Sequence, residues 1–394
     1  MHKNSSLHRF VNNIYGFAFF DSLLLLAPVY SVFMQDNGMS EMDLSLILAM
    51  WCLGAFASQI PAAWGQNRFG QKNCIVFGQV LKAAAFALWF LWPTFAGFSV
   101  GMILWGVQCA LFNVAGESML YDELAARRHA AMYSKILGRR KAISTVGGAL
   151  SSAGSLLLFF GYGVITYASL FTLLISSIFI MRIRFKYGAG ARAKKTDFMR
   201  LLKTGTKIVR KTPCIFYMII LTTLFWNFSY IENFFSLIGL DVGIRREFVG
   251  GVAFFIACCK IVGQAFAHRF KQIKDRALYA GMAIAGVIFI LFSAWYSIAA
   301  ILLLGAGYVL ISAINVVAYA RFQDFIPPMH RPVALSLFSL SDYFTYVIAI
   351  LIFGFGSDIG GLSYSIFLMG AACILIGIWA LIFVRDKCSI EHSY

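Results

Sequence analysis

The chain has 394 residues, of which 60% are hydrophobic and only 13% are charged, and its mean hydropathy is +0.78. A soluble domain is about 45–50% apolar and about 25% charged, so this composition excludes an ordinary soluble protein. The formal net charge of +16 does not indicate a nucleic-acid partner, because the Lys and Arg residues lie in short segments between apolar runs and not on one polar face.

The apolar runs predict membrane-spanning helices, since a span needs about 20 mostly apolar residues. The first run is too long for the core of a signal peptide, so we expect it to be retained. No ten-residue alternation typical of a membrane barrel is present, so an all-α integral membrane protein is predicted. Its twelve spans are predicted at 13–34, 42–63, 73–93, 98–121, 142–161, 163–183, 214–236, 247–268, 277–295, 297–319, 333–355 and 362–384.

The basic residues divide the predicted loops into two sides. Most of the 33 Lys and Arg residues fall in the N-terminal tail, the even-to-odd loops and the C-terminal tail, whereas the opposite loops contain only Arg245 and Arg246. Loops rich in Lys and Arg stay in the cytoplasm. The sequence therefore predicts a multi-pass protein of the cell inner (cytoplasmic) membrane with both termini in the cytoplasm.

A long polar stretch separates two sets of six spans. Residues 185–212 are rich in Lys and Arg, and apolar residues such as Phe198 and Leu201 recur there at helical spacing. This pattern favours an amphipathic helix on the inner leaflet, with a flexible charged linker as the alternative. The predicted division is an N-terminal six-helix bundle at 1–184, the cytoplasmic linker at 185–212, and a C-terminal six-helix bundle at 213–394.

The two predicted halves echo each other at equivalent places. Asn67-Arg68-Phe69-Gly70 follows span 2, and His268-Arg269-Phe270-Lys271 follows span 8. Asp122 ends span 4, and Asp324 lies just past span 10. Parallel six-helix repeats produce an echo of this kind, so the two bundles are expected to be pseudo-symmetric.

The segment at 59–72, QIPAAWGQNRFGQK, resembles the span 2–3 signature of the major facilitator superfamily. The family pattern is approximately EIPTG, a few residues, and then DRFGRK. The matching residues are Pro61, Arg68, Phe69, Gly70 and Lys72. The segment 115–124, AGESMLYDEL, with Gly138-Arg139, is similar to the span 4–5 region of one bacterial branch, and 327–331 with Ser336 is similar to the start of span 11. The resemblance covers nearly the whole chain.

The resemblance implies a carrier in which two six-helix bundles rock around a site in the middle of the membrane, with spans 1, 4, 7 and 10 lining the cavity. Three family residues are replaced here, because Gln59 stands for Glu, Asn67 for Asp and Gln71 for the second Arg. Asn67 lacks the charge for the ion pair that the resemblance implies at this place, while Gly70 still suits a tight turn.

Charged clusters at the cytoplasmic ends of the spans form the predicted gate. Asp122 is expected to pair with Arg139 or Arg140 and lock span 4 against span 5, and Asp324 with Arg331 is expected to do the same for spans 10 and 11. The cytoplasmic gate candidates are Asn67, Arg68, Gly70, Lys72, Asp122, Arg139, Asp324 and Arg331.

Charged residues within spans are candidates for substrate binding or proton coupling, because a charge at the centre of a bilayer costs about 2.5–3.5 kcal/mol. Asp21 and Lys82 lie at similar depth, which leaves two interpretations open. They form a structural ion pair between spans 1 and 3, or one carboxylate, Asp21 or Glu117, exchanges a proton or contacts substrate. The candidates are Asp21, Lys82, Asn113, Glu117, Trp226, Glu232, Lys260, Asn315 and Asp342.

The sequence contains no HExxH, GxSxG or phosphate-loop motif and no CxxC pair. An enzyme, a metal site and a cofactor are therefore not expected. A channel is not expected either, because the sequence contains no loop that resembles a selectivity filter. The predicted function is secondary active transport of a small organic molecule by proton-coupled efflux. Uptake of a nutrient, metabolite or siderophore is the alternative. The expected partners are the substrate, protons and the lipid bilayer, and the carrier is expected to be a monomer.

Overall fold

The computed structural model describes residues 2–183, 213–270, 273–325 and 331–384. The side chains at 2–6, 67, 114, 117–118, 131, 134, 213–215, 324–325, 331–336 and 384 lie outside this description, as does the predicted linker at 185–212. Every regular element within the described ranges is a helix.

The helices follow one another with short connections. The first half contains α1 (His2–Ser22), α2 (Tyr30–Asp36), α3 (Glu41–Ala57), α4 (Gln59–Phe69), α5 (Gln71–Leu91), α6 (Phe95–Ala126), α7 (Tyr133–Ser151) and α8 (Tyr162–Met181). The second half contains α9 (Pro213–Phe228), α10 (Phe235–Asp241), α11 (Gly250–Phe266), α12 (Asp275–Ala294), α13 (Ile301–Phe325) and α14 (Arg331–Trp379). Short 3-10 segments extend α7 over Ser152–Phe160 and α11 over Ala267–Phe270.

Eight helices in the described residues are individually long and apolar enough to cross a membrane, or nine when α3 and α4, bent by 43°, count as one span. One of the eight, α14, has 49 residues and is interrupted by non-helical backbone at Gly360 and Gly361. At 1.5 Å per residue it is about twice as long as one crossing requires, so it contains two spans. The two predicted spans that fail the test, spans 1 and 7, are both broken within the apolar run.

Span 1 breaks between α1 and α2. Pro28 has no amide hydrogen, so it lacks the helical hydrogen bond to the carbonyl four residues earlier. The buried amide of Leu26 instead donates to the Ser169 hydroxyl on α8, at 2.9 Å. Backbone polar groups in a membrane need protein partners. The expectation of one continuous helix at 13–34 is therefore wrong, and the helical part also begins earlier, at His2.

Span 7 breaks between α9 and α10, at a place equivalent to the break in span 1. The Tyr308 hydroxyl on α13 accepts from the Ile231 amide at 3.2 Å and donates to the Ser229 carbonyl at 2.9 Å. One buried phenol thus satisfies both freed backbone groups. The expectation of a continuous helix at 214–236 is also wrong.

Glycines set the closest helix packing, and the two halves use them in the same way. A Cβ on Gly54 would lie 2.4 Å from the Ile103 carbonyl, and one on Gly106 would lie 2.2 Å from the Trp51 carbonyl, so α3 and α6 meet backbone to backbone. In the second half, a Cβ on Gly263 of α11 would lie 2.1 Å from the Val309 carbonyl on α13. Small residues allow this close approach of membrane helices.

The backbone divides into two compact units. The first contains Met1–Met39, Leu46–Lys195 and Arg246–Gly251, and the second contains Ser40–Ser45, Thr196–Arg245 and Val252–Tyr394. A buried apolar cluster in the first unit includes Phe10, Ile14 and Leu120.

Candidate transport site

The first unit contains a buried charged cluster beside the break in span 1. The Lys82 ammonium donates to the Asp21 carboxylate at 2.8 Å and to the Asp21 backbone carbonyl at 3.1 Å. Gln79, one helical turn before Lys82 on α5, donates its amide to the same carboxylate oxygen at 2.9 Å. Asp21 occupies the last turn of α1, so Lys82 also neutralises the negative end of that helix.

Lys82 is the more buried partner of this pair, since its side chain is 5% exposed and the side chain of Asp21 is 18% exposed. The Gln79 Oε1 atom is buried and has no hydrogen-bond partner among the described residues. An unsatisfied buried acceptor is costly, so this oxygen suits a donor brought by a ligand or water. Gln79 was not among the sequence candidates, although its i, i+3 spacing to Lys82 puts both on one face of α5.

The other two first-half candidates lie on α6. Asn113 is exposed and its amide lies 3.8 Å from the Cys109 sulfur, four residues earlier. Glu117 is in the same helix, but its side chain lies outside the described residues. The structure therefore joins Asp21 to Lys82 and does not join Asn113 to them.

The second unit contains a charged pair at the break in span 7. Lys260 on α11 donates to Glu232, which opens the 3-10 turn Glu232–Phe234. The Lys260 ammonium also lies over the Tyr230 ring, 5.6 Å from its centroid. The side chains of this pair are 28% and 23% exposed, so it is more open than the Asp21–Lys82 pair. A cation over an aromatic face gains electrostatic stabilisation, which helps to fix the lysine.

A second polar cluster in this unit joins α9 to α14. The Asn227 amide lies 3.0 Å from the Asp342 carboxylate, 3.1 Å from the Asp342 carbonyl and 2.7 Å from the Thr345 hydroxyl. One turn earlier on α9, the Thr223 hydroxyl is 2.9 Å from that of Ser341. These hydroxyl and amide contacts hold the two helices together, and they were not foreseen.

A small cleft in the second unit has lining residues from both polar clusters. Asn227 lines it, and so does Tyr230, whose ring contacts the Lys260 ammonium. The remaining lining residues are Ile231, Phe234, Tyr346, Ala349, Ile350, Phe353 and Met369. Its wall is mostly apolar and aromatic with a few polar groups, and its volume is about 10 Å³, close to the room that one water molecule needs.

The remaining two candidates differ in exposure. Trp226 is 41% exposed, and no polar contact of its side chain is described. Asn315 is 7% exposed, and its Oδ1 atom has no hydrogen-bond partner among the described residues. Asn315 thus resembles Gln79 in presenting a buried, unsatisfied amide oxygen.

The span 2–3 motif shows how the gate candidates are arranged. Gly70 connects α4 to α5 with φ of 84°, a left-handed conformation that favours glycine. Lys72 donates to the carbonyls of Met181 and Ile183, at 2.7 and 2.9 Å, and so caps the end of α8. Arg68 lies over the Trp64 ring, 5.6 Å from its centroid.

The acidic gate candidate Asp122 pairs with an amide and not with an arginine among the described residues. Asp122 accepts from the Gln71 side chain at 2.8 Å. Arg139 is exposed, and the expected ion pair of Asp122 with Arg139 or Arg140 does not occur among the described residues, so that expectation is corrected. The replacement of the family Arg by Gln71 thus leaves a neutral hydrogen bond. The side chains of Asn67, Asp324 and Arg331 lie outside the described residues.

The comparison with family models decides the identity. The model of the Major Facilitator Superfamily matches residues 13–321. The chain belongs to the major facilitator superfamily. It is accordingly an all-α membrane transporter and not an enzyme, with the twelve-helix fold of that family.

Solved structures of major facilitator transporters share the fold over nearly the full length. A D-xylose-proton symporter matches with a TM-score of 0.74 and 14% identity, covering 97% of this chain and 98% of its own. A bacterial homolog of the human lysosomal transporter Spinster matches at 0.75 and 13%, covering 98% of both chains.

The nucleoside transporter NupG matches at a TM-score of 0.72 and 12% identity, also covering 98% of both chains. No curated protein matches the sequence. The structural similarity establishes the major facilitator fold, but at identities this low it does not identify the substrate.

Proposed function

We propose that the protein is a secondary carrier that exports a small organic molecule by alternating access, in exchange for protons. The observation that carries this proposal is the placement of charged groups at the breaks of spans 1 and 7. Asp21–Lys82 lies at one break and Glu232–Lys260 at the other. Broken helices in transporters create binding sites at membrane depth, and charged residues there are functional by default.

Each bundle is proposed to offer its own substrate contacts, which are Asp21 and Lys82 in the first and the residues around the cleft beside Asn227 in the second. Lys82 and Lys260 are each paired with a carboxylate, so these two pairs add little net charge. At these two ion pairs a neutral or zwitterionic molecule fits better than a simple cation, because the carboxylate of each pair already meets a lysine.

In the proposed orientation, the protein lies in the inner membrane and both of its termini face the cytoplasm. The excess of Lys and Arg in the loops on the N-terminal side supports it. The proposed division into bundles at 1–184 and 213–394 with a linker between them is supported by the equivalent breaks and glycine contacts in the two halves. The protein is proposed to work as a monomer, and residues around Gly70 and Lys72 to form its cytoplasmic gate.

Uptake is the second candidate. Of the proteins with a similar fold, one is a D-xylose-proton symporter and another a nucleoside transporter. In a symporter the proton and substrate move together, so the same charged residues would serve import of a nutrient or siderophore.

An untargeted comparison of metabolites in cells with and without the gene tests the direction. Efflux predicts that the transported compound accumulates inside cells lacking the gene, and uptake predicts that it is depleted there. Purified protein in liposomes, tested with the compounds that change at two pH values, then measures saturable transport. Absence of any pH-gradient effect on wild-type transport would reject proton coupling.

A further inference from the structure

The three carboxylates described deep within the predicted spans have different partners. Asp21 is paired with Lys82, and Glu232 is paired with Lys260. Asp342 has no basic partner among the described residues, since its carboxylate accepts only from the Asn227 amide. It lies eleven residues into α14, which is about 16 Å from the start of that helix at 1.5 Å per residue.

These partners decide which carboxylate can gain and lose a proton at low cost. Protonation of Asp21 or Glu232 would leave a lysine charge in the membrane without its counter-ion, and such an unpaired buried charge is strongly destabilising. Protonation of Asp342 leaves no charge behind. Deprotonation creates a carboxylate that the Asn227 amide supports but does not neutralise. Of these three carboxylates, Asp342 is thus the one that can become neutral without leaving an unpaired charge behind.

We propose that Asp342 is the residue that binds the transported proton, an inference that rests on the proposed proton coupling. Asp342 takes up one proton at a carboxylate oxygen, becomes neutral, and releases the same proton on the other side of the membrane. No bond other than O–H forms or breaks. Asp21 and Glu232 remain charged and paired with their lysines throughout.

Within the described residues, the helices that pack against α14 supply no competing charge near Asp342. α14 packs against α9 and α12. The described part of α9 has no charged residue, and the charged residues of α12, Asp275 and Arg276, lie in its first turn. Asp275 is itself paired with Arg321 of α13. The titratable groups nearest along the chain are Tyr343 and Tyr346 on α14 itself.

Asn227 connects this proton site to the cleft. Its amide nitrogen lies within hydrogen-bond distance of four acceptors, which are the Thr223 carbonyl, the Asp342 carbonyl and carboxylate, and the Thr345 hydroxyl. An amide has only two N–H donors, so these acceptors compete. A charged Asp342 attracts one N–H more strongly than a neutral one does. Because Asn227 also lines the cleft, the proton on Asp342 determines how Asn227 presents itself to a substrate.

Infrared difference spectroscopy of the purified protein in liposomes of defined phospholipid composition tests the proton site directly, with the proton as the probe. Spectra are recorded across a pH series for wild type, Asp342→Asn and Asp358→Asn. Asp358 is an exposed carboxylate on the same helix and serves as the control. We expect wild type and Asp358→Asn to show a protonated-carboxyl band that disappears as pH rises, and Asp342→Asn to lack it.

A band that persists unchanged in Asp342→Asn would overturn the proposal, and so would its absence from the wild type at every pH. If Asp342→Asn does not fold, Asn227→Ala provides the second test, because loss of the amide donor must move the pH midpoint of the band. An unchanged midpoint in folded Asn227→Ala would contradict the link. Failure of the proposed function is separate, since it would appear as wild-type transport that ignores a pH gradient while the Asp342 band still titrates.

Discussion

At the scale of single residues, the protein places each described intramembrane lysine against a carboxylate. Lys82 donates to two oxygens of Asp21, and the Asp21 carboxylate also accepts from the Gln79 amide. Such a pair gains little over an apolar contact, but loss of one partner is costly because the other charge stays buried. The same reasoning applies more weakly to Lys260, which is more exposed.

Replacement of Lys82 by Met should destabilise the protein by about 3 kcal/mol, because Asp21 would stay buried without its counter-ion. Asp21→Asn with Lys82→Met should recover most of this loss. The free energy of unfolding in detergent measures both. The pair Glu232→Gln and Lys260→Met provides the matched comparison and should show a smaller effect. A double mutant as unstable as Lys82→Met alone would mean that the ion pair is not the cause.

Lys72 is the described gate candidate with the clearest structural role, because its ammonium donates to the carbonyl of Met181, the last residue of α8, and to that of Ile183 just beyond it. Lys72→Met should lower the thermal midpoint, since a hydrogen bond from a charged donor contributes about 1.5–3 kcal/mol. Lys141→Met, which removes an exposed lysine on α7, is the control and should leave the midpoint unchanged. Equal midpoints for both variants would argue against a capping role.

At the scale of elements, two devices recur in both halves, which are the broken span and the glycine contact. Each break needs a donor or acceptor from a neighbouring helix, supplied by Ser169 in one half and Tyr308 in the other. Each glycine contact brings two backbones closer than any side chain permits. Both devices place polar groups or backbone at the interior of a unit.

Alanine at Gly106 should destabilise the α3–α6 contact, because its Cβ would lie 2.2 Å from the Trp51 carbonyl. We expect a loss of about 1–3 kcal/mol, the usual cost of overpacking. Gly148→Ala on α7 is the matched control, since a Cβ there meets nothing within 4 Å. The control should be neutral or more stable, because alanine favours helix over glycine. Thermal unfolding of both variants in one detergent provides the measurement, and a larger loss for the control would contradict the packing argument.

At the scale of the whole molecule, membership of the family identifies the protein as a transporter. The uneven distribution of Lys and Arg between its loops predicts its orientation in the membrane. Cysteine labelling in a variant without native cysteines tests that orientation. Asn37→Cys, between α2 and α3, should react with a membrane-impermeant maleimide added outside intact cells. Lys141→Cys, on α7 just before the predicted span at 142–161, should react only after the cells are opened. The reverse pattern would place the termini outside.

The sequence by itself determined the membrane class, the twelve apolar runs and the family, because these depend on composition summed over long windows and on a short motif. It also indicated that Asp21 and Lys82 lie at one depth, and the structure confirms that they meet. It did not determine that spans 1 and 7 are broken, since hydropathy is equally high on both sides of Pro28 and does not record where a backbone amide finds its partner.

Tertiary structure decided the partners. Only the tertiary placement of α5 beside the end of α1 puts Gln79 on the Asp21 carboxylate. Only the packing of α9 against α14 gives Asp342 an amide partner, with no lysine beside it in the part of the chain that the structure describes. Asp122 meets Gln71 and not Arg139 for the same reason. Hydrogen bonds and ion pairs act over about 3 Å between residues far apart in the chain, so their choice depends on helix rotation and contact distance, which apolar patterns leave undefined.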